Sequence, residues 1–157
     1  MSGTPRPMRR AADASGEIPT CLRIRLPVAC RNDVVRECLG ALPNEGCGLL
    51  LGDRDGPAAT VFEIWPAANL RASAERYEIA PEAVLAADRA ARAAGRILLG
   101  AWHSHPGGRA APSATDRAEA WPDWCYLIVG LADPETPEIR AWRLLDDDFV
   151  EDLLEIE

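Results

Sequence analysis

Histidine is nearly absent from this chain: His103 and His105 are the only two, and a single residue separates them. Also missing is any apolar run long enough to span a bilayer, so no membrane partner is expected. The N-terminal stretch MSGTPRPMRRAADASGEIPT is basic and rich in small residues but lacks the apolar core of a secretory signal. Residues 1–20 are expected to form a mobile tail ahead of one domain at 21–157. The five cysteines (Cys21, Cys30, Cys38, Cys47 and Cys125) are odd in number and form no CxxC pair and no zinc-finger spacing. That excludes a disulfide framework and points to free thiols in a reducing cytoplasm, each packing as a small apolar group. Positive charge is in deficit, with 17 Lys and Arg against 25 Asp and Glu and a net charge of -8. This balance disfavours nucleic acid or an anionic membrane surface and suits a partner with a basic patch.

What is present fits one globular domain, 48% hydrophobic and 27% charged. CLRIRLP alternates apolar and basic residues as a half-buried strand does. Pro27 suits a first helical turn, and Val28, Val34, Val35, Cys38, Leu39 and Leu42 follow near helical spacing. EGCGLLLG reads as a buried strand bounded by the turn signal Asp-Arg-Asp-Gly, with TVFEIWPAANL as a hairpin partner that Pro66 interrupts. After a short extended piece at YEIA, a helix is expected from Pro81 to Gly95, with Val84, Leu85 and Ala91 on its apolar face. RILLGAWHSH is apolar enough for a central strand. Ser113 to Ala120 reads as a short helix, WCYLIVGL and EIRAWRLL as paired strands, and FVEDLLEIE as a strand or a helix. Strands and helices are thus interleaved about a mixed sheet, an α/β or α+β arrangement.

Successive residues of a strand face opposite ways, so His103 and His105 project together while Trp102 and Ser104 point to the other face. Pro106 ends the strand and Gly107-Gly108 lets the chain fold back. Seven residues separate His105 from Ser113, and Asp116 follows in the next helical turn. Two imidazoles and one carboxylate leave a position open on a tetrahedral metal, the mark of a catalytic rather than a structural site. Such a site also needs a general base that is not a ligand. Glu45, at the head of an apolar strand and with no basic neighbour, is the candidate. Each piece also has a plainer account. Ser-Ala-Thr-Asp imitates a capping box, an HxH pair can simply satisfy backbone partners, and Glu45 can be a solvated turn carboxylate.

Together, Glu45, His103-Ser-His105-Pro and Ser113-x-x-Asp116 resemble the JAMM motif of the MPN-domain zinc metalloproteases. NEGCGLLLG is similar to the glutamate-bearing strand of compact bacterial members, and the likeness in element order runs from about Leu22 to Leu145. The resemblance implies a mixed sheet flanked by helices, similar to the cytidine-deaminase-like fold. It implies Zn2+ held by His103, His105 and Asp116 with a water, Glu45 as general acid/base, and Ser113 stabilising an oxyanion. It further implies hydrolysis after the C-terminal Gly-Gly of a ubiquitin-like sulfur carrier protein, freeing an extension or an amino-acid adduct. There is no room for the insertions with which eukaryotic relatives grip ubiquitin, so a small carrier tail is expected rather than polyubiquitin. Two other readings use the same residues: a non-catalytic MPN-type binding module, or a non-haem iron enzyme with a His-His-Asp triad. Of the lesser signals, Arg109 fits a solvated loop residue or a contact to a substrate carboxylate. Cys47 fits packing or a redox role, and Trp102, Trp121 and Trp124 fit core packing or a substrate groove.

Overall fold

Ile24 and Leu26 are buried and Arg23 and Arg25 exposed in the first strand, β1 (Arg23–Leu26), which follows the alternation of the sequence. The computed structural model describes residues 21–157, so the tail expected at 1–20 lies outside the described residues. Helix α1 spans Val28–Ala41, with Pro27 as its N-cap rather than inside its first turn. It buries Cys30, Val34, Val35 and Cys38. Val28, Leu39 and Leu42 face solvent, which corrects the wider apolar stripe expected. Positions 30, 34 and 38 already make a complete i, i+4, i+8 seam, and residues either side of it rotate outward.

Strand β2 (Cys47–Asp55) runs through the whole Asp-Arg-Asp segment, and the turn falls at Gly56-Pro57, where Gly56 takes φ +54°. Its hairpin partner β3 (Ala58–Ala67) contains Pro66 without interruption. Beyond Thr60 the outer edge of β3 has no partner strand among the described residues, so the missing N–H of Pro66 costs no ladder bond there. Residues 77–80 form no strand, and helix α2 (Pro81–Ala93) follows directly. Ala87 joins Ala91 on its buried face, whereas Leu85 is exposed. Strand β4 (Ile97–His105) is central, antiparallel to β2 and parallel to β5 (Cys125–Gly130). Gly100 permits the latter pairing, because a Cβ there would lie 1.9 Å from the Cys125 carbonyl oxygen.

The short helix α3 (Ala114–Glu119) links β4 to β5. Strand β6 (Glu138–Leu145) pairs antiparallel with β5, and the undecided C-terminal segment is strand β7 (Asp148–Ile156). β7 pairs antiparallel with β6 and parallel with β1, closing the sheet in the order β1-β3-β2-β4-β5-β6-β7. The expected mixed sheet with flanking helices is present, and its closure is additional. At the seam Asp152 accepts from Arg143 at 2.9 and 3.0 Å and from the Leu22 N–H at 2.7 Å, tying β6, β7 and the approach to β1 together.

Neighbouring residues of the central strands serve two different cores. Leu50, Trp102 and Leu127 join Ile24 and the buried face of α1. Leu49, Ala101 and Tyr126 join Ala87 and Ala91 of α2. His103 and His105 continue the Ala101 side of β4, which places them on the face that α2 shares. Cys30, Cys38, Cys47 and Cys125 are buried free thiols as expected, whereas Cys21 is free but exposed, which corrects the packing expected of it. Among the described residues no helix is long and apolar enough to cross a membrane.

Candidate metal centre

The end of β4 delivers both imidazoles to one point, His103 Nε2 lying 3.2 Å from His105 Nε2. The Asp116 carboxylate faces both, Oδ1 at 3.1 Å from His103 Nε2 and Oδ2 at 3.0 Å from His105 Nε2. Glu45 Oε1 stands further off, 3.8 Å from His105 Nε2. Glu45 and His103 are only 2% and 1% exposed, so both polar groups sit out of bulk water.

The turn that returns Asp116 is held down at several points. The His105 carbonyl accepts from Gly108 N and Leu131 N, and the Ala110 N–H donates to Glu138 of β6 at 2.9 Å. Gly130 lets this loop lie against β5, since a Cβ there would be 2.5 Å from Ala110 N. Ser113 caps α3 by accepting from Asp116 N at 3.0 Å, and Asp116 Oδ2 accepts from Ser113 N at 2.9 Å. The capping box and the approach to the histidines therefore coexist in one carboxylate. The Ser113 hydroxyl, half-buried beside the cluster, accepts in this contact and keeps its hydrogen for another partner.

Ser104, between the histidines, is a functional position that the sequence reading passed over. Its buried hydroxyl accepts from Gly46 N at 2.9 Å, and its own N–H donates to Gly46 O at 3.1 Å. The segment carrying Glu45 is thereby clipped to the strand carrying the histidines. A polar residue inside an otherwise apolar strand was the available signal. Ser104→Ala leaves the Gly46 N–H buried without a partner, and denaturant unfolding is expected to show a loss of about 1–3 kcal/mol. Tyr77 was also missed: its ring stacks on His103 with centroids 4.4 Å apart. It lies in a segment without regular structure, where periodicity has nothing to report.

The remaining candidates divide. Arg109 has an exposed side chain and serves through its carbonyl, 2.9 Å from His105 Nδ1. Cys47 is buried, burial pushes its thiol up to about 12, and it packs as an apolar group. Trp102 is core on the opposite face. Trp121 and Trp124 stack at 5.5 Å and, with Leu49, Tyr77 and Tyr126, line a pocket of about 170 Å³ beside the cluster.

Whether these residues suit a metal is decided by their donor chemistry. The Arg109 carbonyl only accepts, so Nδ1 of His105 carries the proton and Nε2 of the neutral ring presents a lone pair. That lone pair points at a carboxylate and at a second imidazole nitrogen, an assembly of acceptors that calls for a cation at its centre. Tetrahedral zinc with ligands at about 2.0–2.1 Å sets ligand atoms about 3.3 Å apart, close to the 3.0–3.2 Å edges found here. Glu45, His103 and His105 also bring one ligand atom each within 4.8 Å of one another, so either carboxylate completes a triad by distance. Asp116 is nearer to both rings. The residues fit a divalent metal.

Burial pushes the Glu45 carboxyl up to about 8, against the pull of His105. Burial opposes the charge of Asp116 too, yet in the metal-free site hydrogen bonds from His103 and His105, when their Nε2 atoms carry protons, hold it well below the usual carboxylate range. Burial lowers His103, while Asp116 and the Arg109 carbonyl raise His105 despite its partial burial. For Glu45 the folded state favours the protonated form. Its ionisation therefore costs metal-free protein stability progressively from about pH 4.5 to about pH 8. In chelator, Glu45→Gln is expected to unfold at higher denaturant than the parent at pH 8, by on the order of a few kcal/mol, with the difference vanishing near pH 4.

Residues 27–145 match the family model described as prokaryotic homologs of the JAB domain. The chain belongs to that family. This JAB domain is 37% identical over 115 residues to the desampylase of Haloferax volcanii, across 69% of the chain and 81% of the relative. It is 31% identical over 113 residues to the CysO-cysteine peptidase of Mycobacterium tuberculosis, across 70% of the chain and 75% of that protein. Among solved structures, the JAB domain superposes on a Desulfitobacterium hafniense protein with a TM-score of 0.80 at 36% identity, covering 85% of the chain and 92% of that structure. A JAB1/MPN domain protein from Archaeoglobus fulgidus, 16% identical with a TM-score of 0.52 over 85% of this chain and 96% of its own, shares the fold.

Proposed function

We propose that this JAB-domain protein is a zinc-dependent peptidase or isopeptidase that cuts the bond following the C-terminal Gly-Gly of a ubiquitin-like sulfur carrier. The observation that carries the reading is the convergence of two imidazole nitrogens and the Asp116 carboxylate within 3.2 Å, with a second, buried carboxylate at 3.8 Å. The names of the relatives, a desampylase and a CysO-cysteine peptidase, support cleavage of a protein conjugate or an amino-acid adduct. The motif resemblance supplies the carrier class and kinship with cytidine-deaminase-like folds, and the odd set of free cysteines supports a cytoplasmic setting.

His103, His105 and Asp116 hold the metal in this reading, because they are mutually closest and Asp116 is kept ionised. Bound there, zinc supplies Lewis acidity, which polarises a carbonyl and brings the pKa of water towards roughly 7. Glu45 stays outside the ligand set. Its ionised form is favoured beside a bound cation, and that carboxylate takes a proton from the attacking water and delivers it to the leaving amine, turning a poor leaving group into a good one. Ser113 donates its free hydroxyl hydrogen to the carbonyl oxygen as negative charge develops there. Burial of Glu45 and His103 keeps competing water from screening these charges.

Purified protein is expected to hold zinc at about one per chain, and chelation to abolish cleavage of a carrier extended beyond Gly-Gly, with zinc restoring it. Iron in the site with oxygen-dependent turnover would replace zinc with the facial-triad reading. A protein that takes up no divalent metal would be a binding module instead.

A further inference from the structure

Asn69, just past the end of β3, spends every hydrogen-bonding group of its side chain. Nδ2 donates to the Glu45 carbonyl at 3.1 Å and to the Arg76 carbonyl at 3.0 Å. Oδ1 accepts from Arg71 N at 3.0 Å and from Glu78 N at 3.1 Å. Those are the two donors and two lone pairs an amide owns. The orientation is fixed by its partners, since a flipped amide would set oxygen against two carbonyls and NH2 against two N–H groups.

The four bonds do two separable things. The acceptor half shapes the strap 69–78, whose ends also meet through Leu70 N and the Glu78 carbonyl at 2.9 Å. Of the two donor bonds, the one to the Arg76 carbonyl also stays within the strap, and the one to the Glu45 carbonyl reaches out to the neighbouring segment. There the Glu45 N–H is already held by the Ser73 carbonyl at 2.8 Å, and Ser104 holds Gly46 from the opposite side. N–H, C=O and the following residue are thus all pinned, which holds the backbone from which the Glu45 carboxylate reaches to 3.8 Å from His105 Nε2. The same strap brings Tyr77 onto His103, so one amide sets the height of the strap over both the carboxylate and a histidine ring. The exposed pairs Arg71–Glu78 and Arg76–Glu119 contribute little to this placement.

We propose that Asn69 is a positioning residue for Glu45, acting through the backbone carbonyl rather than by touching substrate or metal. The inference rests on the acid/base role proposed for Glu45. Asn69→Asp keeps the bonds from Arg71 and Glu78 while setting a carboxylate oxygen against the Glu45 and Arg76 carbonyls, so of the strap's own bonds to Asn69 it removes only the one to Arg76. Asn69→Ala removes both halves and reports the structural share.

The test uses the zinc-loaded full chain and, as substrate, a ubiquitin-like carrier whose Gly-Gly terminus is linked to aminomethylcoumarin. Asn69→Asp is expected to lower kcat by about 10–100-fold with KM within about twofold and zinc content unchanged. In a Glu45→Gln background, read over long incubations, Asn69→Asp is expected to change the residual rate by less than about twofold, because the group it positions no longer transfers protons. An Asn69→Asp protein that keeps kcat while Glu45→Gln has lost it overturns the positioning role alone. A double variant whose losses multiply also overturns it, by showing that Asn69 acts independently. A Glu45→Gln protein with parental turnover removes the acid/base reading itself, and this inference with it.

Discussion

Under the proposed acid/base role, Glu45→Gln is expected to keep the metal and lose turnover by roughly 10²–10⁴-fold, the span over which a positioned acid/base group accelerates proton transfer. The substitution preserves shape and one hydrogen-bonding oxygen and removes only the capacity to take up and release a proton. Zinc retention is expected because the proposed ligands His103, His105 and Asp116, which lie within 3.2 Å of one another, are untouched. The pair of readouts distinguishes the two places a carboxylate can occupy here. Loss of zinc along with turnover makes Glu45 a ligand, as its grouping with the histidines within 4.8 Å permits. Survival of turnover shows that Glu45 is not the base.

If Asp116 is the third ligand as proposed, Asp116→Asn is expected to weaken zinc binding by on the order of 10²–10⁴-fold, taking one of three protein ligands as about a third of a typical zinc-site free energy. The amide oxygen of the variant still accepts from the Ser113 N–H, so the start of α3 is retained and the metal contact alone is weakened. Ser113→Ala makes the converse cut. It removes the cap on Asp116 N, costs about 1 kcal/mol in stability, and leaves zinc affinity within about threefold. Competition against a zinc-sensitive chelator dye separates the variants. Equal affinity for Asp116→Asn and the parent reduces Asp116 to a helix cap.

The site was more legible in the sequence than the sheet that supports it. Period-two alternation alone paired His103 with His105 and sent Trp102 and Ser104 to the other face, where both are found. The Ser113–Asp116 spacing on its own favoured a cap over a ligand, and Asp116 both closes the capping box and lies against the two imidazoles. Closure of the sheet had no local signal. It depends on β1 pairing with β7 across nearly the whole chain, and register between distant strands is set by packing rather than by either segment's own pattern. Pro66 was misleading for a related reason. A proline ends a strand only where its N–H would be needed, and whether an edge is paired is a property of the whole sheet. Asn69 and Tyr77 lie between regular elements, so their contacts with Glu45 and His103 became visible only with the chain folded.

The most direct test is the mass of a ubiquitin-like carrier bearing a short extension beyond Gly-Gly, measured before and after incubation with the zinc-loaded protein, with and without chelator. The account predicts a single product ending at the second glycine, formed only without chelator. An unchanged carrier mass, or the same cleavage in the presence of chelator, would contradict it.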